Sequence, residues 1–66
     1  MPYDKNDDLP KSIRDNLPEH AQTIYRKAFN SALKQYGEEE RAYKIAWAAV
    51  ERGYEKNKKG KWVRKI

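Results

Sequence analysis

The residues of this chain that could do chemistry are few and scattered. His20 is the only histidine and there is no cysteine, so a thiolate nucleophile, a disulfide and a thiolate metal site are all absent. A general base at His20 would need partners that no nearby residues supply. Asp4, Asn6 and Asp8 occupy alternate positions, with Asp15 beyond them. A calcium loop begins this way, but it needs a glycine at its sixth position. Leu9 stands there and Pro10 follows. Solvated acids near helix starts explain these residues better. The run Glu38-Glu39-Glu40 also fits the first turn of a helix, where acids complement the dipole. No glycine-rich phosphate loop and no metal-spaced cluster is present. A domain of 66 residues has little material for a deep pocket of ~300 Å³ or more. The expectation is a protein that is not an enzyme, with no cofactor and no metal.

Charge points to one other chemistry. The net charge is +5, and it is concentrated at the C-terminal end. From Arg52 onward, Arg52, Lys56, Lys58, Lys59, Lys61, Arg64 and Lys65 face the single acid Glu55. Such asymmetry suggests an anionic partner for the tail. Lys56, Lys58, Lys59, Lys61, Arg64 and Lys65 interleave with Trp62, offering cations to phosphates and a ring for stacking. They are the candidate contacts to nucleic acid or to another anionic surface. No base-reading motif is visible, so binding to nucleic acid would be weak and independent of sequence. A solvated tail whose Trp62 belongs to the core is the simpler reading.

The elements that must position these residues follow from periodicity. The sequence predicts one mainly α domain over residues 1–66. A polar segment, 1–8, comes first. Leu9-Pro10 and Leu17-Pro18 then punctuate the chain, because proline is tolerated in a first helical turn and excludes its predecessor from the α region. They frame a short helix, 9–16, whose Leu9 and Ile13 form one buried edge with Leu17. Asn16 and Glu19 have capping-box spacing, with Leu17 as the competing N-cap. A long helix follows over 18–36. Its apolar stripe is Ala21, Ile24, Tyr25, Ala28, Phe29, Ala32 and Tyr36, and Gly37 suits a left-handed stop. Opposite the stripe lie Arg26, Asn30 and Lys34 in one row, expected to face solvent. A third helix, 38–53, carries a small edge (Ala42, Ala46, Ala49, Gly53) and a bulky edge (Tyr43, Trp47, Val50, Tyr54). The small edge should face the long helix in an antiparallel hairpin, and the short helix with Tyr3 and the tail with Trp62 should cover the bulky edge; the alternative leaves Trp47 exposed as a partner surface. The basic tail, 54–66, holds a turn at Asn57–Gly60 and a short strand near Trp62. That strand is expected to pair with residues 2–5, giving a minor β element formed by the chain ends.

Several of these residues together resemble the ChaB family. They are Leu9-Pro10 with Ile13-Arg14, then Leu17-Pro18, His20-Ala21-Gln22, Ile24-Tyr25 and Ala28-Phe29-Asn30. Ala46-Trp47-Ala48-Ala49-Val50 and Trp62-Val63 complete the set. The resemblance covers nearly the whole chain. It implies a small helical domain with a minor β element. It also implies a regulator of a cation transporter, a proton-coupled antiporter for sodium, calcium or potassium, contacted from its cytoplasmic side. It leads one to expect a longer charged segment between the second and third helices than Gly37-Glu38-Glu39-Glu40. On this reading the partner-binding candidates are His20, Gln22, Arg26 and Asn30, family-matching or bordering positions with no evident packing reason. The longest strictly apolar run, Ile45–Val50, is far too short to span a membrane. The chain opens without a secretory signal, so a cytoplasmic monomer is expected.

Overall fold

The computed structural model describes residues 3–65; Met1, Pro2 and Ile66 lie outside the described residues. Among the described residues, three α-helices and one β-hairpin make up the fold. A 3₁₀ turn at Asn6–Asp8 leads into α1 (Lys11–Asn16), α2 (Glu19–Tyr36) and α3 (Glu39–Glu51), followed by β1 (Tyr54–Lys56) and β2 (Trp62–Arg64).

Two of the three prolines define helix starts. Pro10 and Pro18 occupy the N-cap positions of α1 and α2. Their carbonyls accept the first helical bonds, from Arg14 at 3.1 Å and Gln22 at 2.9 Å. The capping box expected from Asn16 and Glu19 does not form. Asn16 turns back along α1 and donates from Nδ2 to the Ser12 carbonyl at 2.6 Å. Leu9, Ile13 and Leu17 are buried as one edge, which seats the short helix on the long one. Gly37 ends α2 in the left-handed region, φ 72°, donating to the Leu33 carbonyl at 2.7 Å. A link of only Gly37 and Glu38 then forces α3 to return along α2.

The helical hairpin is the core of the molecule. Ala21, Tyr25, Phe29 and Ala32 of α2 are buried, as are Ala42, Ala46 and Val50 of α3. Ala42 and Ala46 are fully excluded from solvent, so the small edge lets the backbones approach while Tyr25 and Phe29 fill the space beside it. Each large apolar side chain buried this way contributes about 1.5–3 kcal/mol.

Two expectations for the C-terminal region are corrected. The third helix ends at Glu51, so Gly53 and Tyr54 do not extend its edges. The Gly53 N–H bonds the Val50 carbonyl at 3.1 Å, and Tyr54, buried, opens β1 instead. The strand at Trp62 pairs with Tyr54–Lys56 in antiparallel register, Tyr54 opposite Arg64 and Lys56 opposite Trp62. Among the described residues it does not pair with residues 3–5; Pro2, the other residue of the expected partner segment, lies outside the described residues. Local closure explains the choice. The Gly60 N–H bonds the Asn57 carbonyl, and Asn57 Oδ1 accepts from the Lys59 and Lys61 N–H groups. Closing so short a loop costs little entropy compared with joining the chain ends.

Candidate functional site

The outer face of α2 is a set of clasps. Asn30 Nδ2 donates to the Tyr3 carbonyl at 2.7 Å, and Asn30 Oδ1 accepts the Tyr3 N–H at 2.8 Å. Arg26 donates from Nε to Asn6 Oδ1 at 2.9 Å and from Nη1 to the Asp4 carbonyl at 3.2 Å. Asn6 in turn donates from Nδ2 to Thr23 Oγ1 at 3.0 Å. Together these bonds fasten residues 3–8 as a strap across α2. Gln22 Nε2 donates to the carbonyls of Leu17 and Arg14, at 2.8 and 3.2 Å, bracing the junction of α1 and α2. His20 is exposed, and its Nδ1 lies 3.3 Å from the Tyr54 hydroxyl, linking the start of α2 to β1. The expected absence of a packing reason for Gln22, Arg26 and Asn30 is thus corrected. They are half-buried rather than solvated, and each holds a chain segment in place. Lys27 and Lys34 remain exposed. Asn6 was legible only as part of the acidic N-terminal pattern, although an amide there, able to donate as well as accept, was a signal of bonding rather than of metal ligation.

The basic candidates are brought together on one hairpin. Lys56, Lys58, Lys59, Lys61, Arg64 and Lys65 are exposed, while Trp62 is half-buried. The Trp62 ring is not free for stacking on both faces, because it lies against Trp47 with centroids 5.2 Å apart. Trp47 meets Tyr25 edge-on at 5.5 Å, Tyr25 stacks with Phe29 at 6.1 Å, and Phe29 meets Tyr3 at 5.0 Å. A continuous aromatic row therefore runs from the strap to the hairpin. As expected, Trp62 covers Trp47 on the bulky edge of α3, whereas Tyr3, expected on the same edge, is seated on Phe29 of α2.

Coverage is incomplete, and what remains open is a groove. One depression of about 390 Å³ is lined by Ser12, Ile13, Asn16, Tyr43, Trp47, Glu51, Lys56 and Trp62. A second, of about 360 Å³, shares Ser12, Ile13 and Tyr43 with it and extends to Tyr3, Tyr25 and Phe29. Both are open to solvent, so the volume exceeds what the chain length suggested without enclosing a deep pocket. Tyr43 is 51% exposed in this groove. The Trp47 indole N–H is buried with no hydrogen-bond partner among the described residues, a defect that typically costs about 1–3 kcal/mol. Burial, with the neighbouring Tyr3 and Tyr43 phenols, pushes the Tyr25 phenol from 10.0 up to about 12. Among the described residues no group of His, Asp or Glu side chains is placed to hold a metal ion. No described helix is long and apolar enough to cross a membrane.

Fold and site together define a small helical domain in which an N-terminal strap and a C-terminal β-hairpin pack on one central helical hairpin. The ChaB family profile matches residues 9–65. Proteins named "Putative cation transport regulator ChaB" from Escherichia coli K12, E. coli O157:H7 and Shigella flexneri are each 47% identical over 75 aligned positions. These alignments cover 98% of this chain and 99% of each relative. The alignment is longer than the chain, so the relatives carry residues with no counterpart here. An NMR solution structure of a protein of the same name matches with a TM-score of 0.89 and 45% identity, over 98% of this chain and all of the other. The chain belongs to the ChaB family.

Proposed function

We propose that the protein is a small regulatory binding module. It acts by protein–protein contact on a cation/proton antiporter, which it reaches from the cytoplasmic side, and it performs no catalysis of its own. The observation that carries this reading is the 47% identity, over nearly the full length of both chains, to proteins named as cation transport regulators. The construction of the domain supports it. Its histidine is tied to Tyr54 rather than to a nucleophile, and its open groove is aromatic and shallow, suited to a peptide segment rather than to a buried substrate. Inside-out membrane vesicles bearing the antiporter test the reading, with exchange followed by a pH-sensitive dye. Added protein should change the exchange rate saturably. An unchanged rate at excess protein overturns the reading.

The exposed cations of the β-hairpin favour a second reading, weak nucleic-acid binding without sequence preference. If five of them contacted duplex phosphates, log K would fall with log salt at a slope of about −4.5. The contact between Trp62 and Trp47 works against it, since a base would have to compete for the ring.

A further inference from the structure

We propose that the groove between α1 and the bulky edge of α3 takes a short acidic peptide segment carrying an apolar anchor. This rests on the protein–protein reading above and names the surface and the partner chemistry. Three observations converge on it. The two depressions meet at Ser12, Ile13 and Tyr43, so they form one track along α1. Aromatic rings line that track, with Tyr43 and Trp47 in the wall and Trp62 at the hairpin end. Such rings make rigid seats for an aromatic or aliphatic anchor.

Charge sets the direction. Lys56 lines the hairpin end beside Glu51, and Lys58, Lys59, Lys61 and Arg64 stand exposed on the same hairpin with Glu55, so cations outnumber acids there. The opposite end is rimmed by Glu39 and Glu40. A partner therefore places its acids beside the hairpin and its uncharged or basic part beside the start of α3. Complementarity of this kind fixes register and excludes wrong partners. The Trp47 N–H is buried without an acceptor among the described residues, and the Trp62 ring lies against the Trp47 ring at 5.2 Å. Nucleic acid fits this site less well, because the Trp62 ring already lies against Trp47.

A titration followed by nuclear magnetic resonance tests the proposal. The probe is a synthetic peptide with a Leu-Trp-Leu core next to a run of glutamates, added to the isotopically labelled full chain. The two tryptophan indole N–H signals of the protein report on the groove directly. Both should shift saturably with the Tyr43 amide. A peptide with the core replaced by Gly-Ser-Gly, or the glutamates by lysines, should bind at least about tenfold more weakly. Ser12→Glu and Lys56→Glu, at exposed positions, should weaken binding to a similar degree and leave the spectrum folded. Lys34→Glu, which lines neither depression, should bind as the parent does. Absence of indole shifts overturns the proposal. So do shifts confined to the hairpin lysines, shifts equal for the coreless peptide, stronger indole shifts with single-stranded oligo-dT, or indole shifts on concentrating the protein alone. Loss of peptide binding in Ser12→Glu with an intact effect on antiporter exchange also overturns the groove, while leaving the regulatory reading standing.

Discussion

Asn30 holds both backbone polar groups of Tyr3 with its two amide atoms, at 2.7 and 2.8 Å, across 27 residues of sequence. The side chain does for one residue what a neighbouring strand would do. It satisfies a donor and an acceptor that would otherwise need water, and it places the Tyr3 ring on Phe29. Arg26 repeats the device one turn earlier on Asp4 and Asn6. The strap thereby covers part of the aromatic row and defines one end of the groove.

The close approach of α2 and α3 depends on Ala42 and Ala46, both fully buried. Ala46→Leu should destabilise the domain by about 1–3 kcal/mol or more, since inserted carbons in a packed interface force side chains off their rotamers. Ala48→Leu, at an exposed position of the same helix, should change stability by less than about 0.5 kcal/mol. Urea unfolding of the two variants beside the parent measures the difference.

Gly37 adopts φ 72° at the end of α2, and a Cβ placed there would meet nothing within 4 Å. The cost of Gly37→Ala is therefore conformational rather than steric against a neighbour. A loss of about 1 kcal/mol is expected, read from the denaturation midpoint at unchanged m-value.

Alkali should unfold the domain through Tyr25. Its folded pKa lies at about 12, above the ordinary 10.0, mainly because burial disfavours the phenolate. A raised folded value means that the folded state holds its proton more tightly. The stability it confers is complete below pH 10 and is lost as pH rises toward 12. Up to about 2–3 kcal/mol is involved. Tyr25→Phe keeps the ring and removes the proton, so its stability should fall less than the parent's between pH 10 and 12, by thermal unfolding across that range.

The hairpin of helices was legible in the sequence because burial leaves a periodic trace. Ala21, Tyr25, Phe29 and Ala32 recur at helical spacing, and Leu9, Ile13 and Leu17 repeat every fourth residue beside prolines that punctuate the chain. The clasps left no such trace. A polar side chain that bonds a distant backbone looks the same in sequence as one that faces water, which is why Asn30 and Arg26 read as surface. Tyr54 misled in the opposite way. It continues the spacing of Tyr43, Trp47 and Val50, but the chain leaves the helix after Glu51 and buries Tyr54 from a strand instead. The groove arises from how incompletely Tyr3 and Trp62 cover the surface, a property of three-dimensional packing alone.

The stability of Asn30→Ala, with Lys34→Glu as a surface control, tests the clasp assignment most directly. Two hydrogen bonds and the seating of Tyr3 depend on Asn30, and each such bond has a net worth of about 0.5–1.5 kcal/mol. Asn30→Ala should lose about 2 kcal/mol in urea unfolding, the Tyr3 amide should lose its protection from hydrogen exchange, and the regulatory effect of the folded variant should persist. Unchanged stability and Tyr3 protection, together with a lost effect on antiporter exchange, would contradict the clasp and return Asn30 to the partner surface.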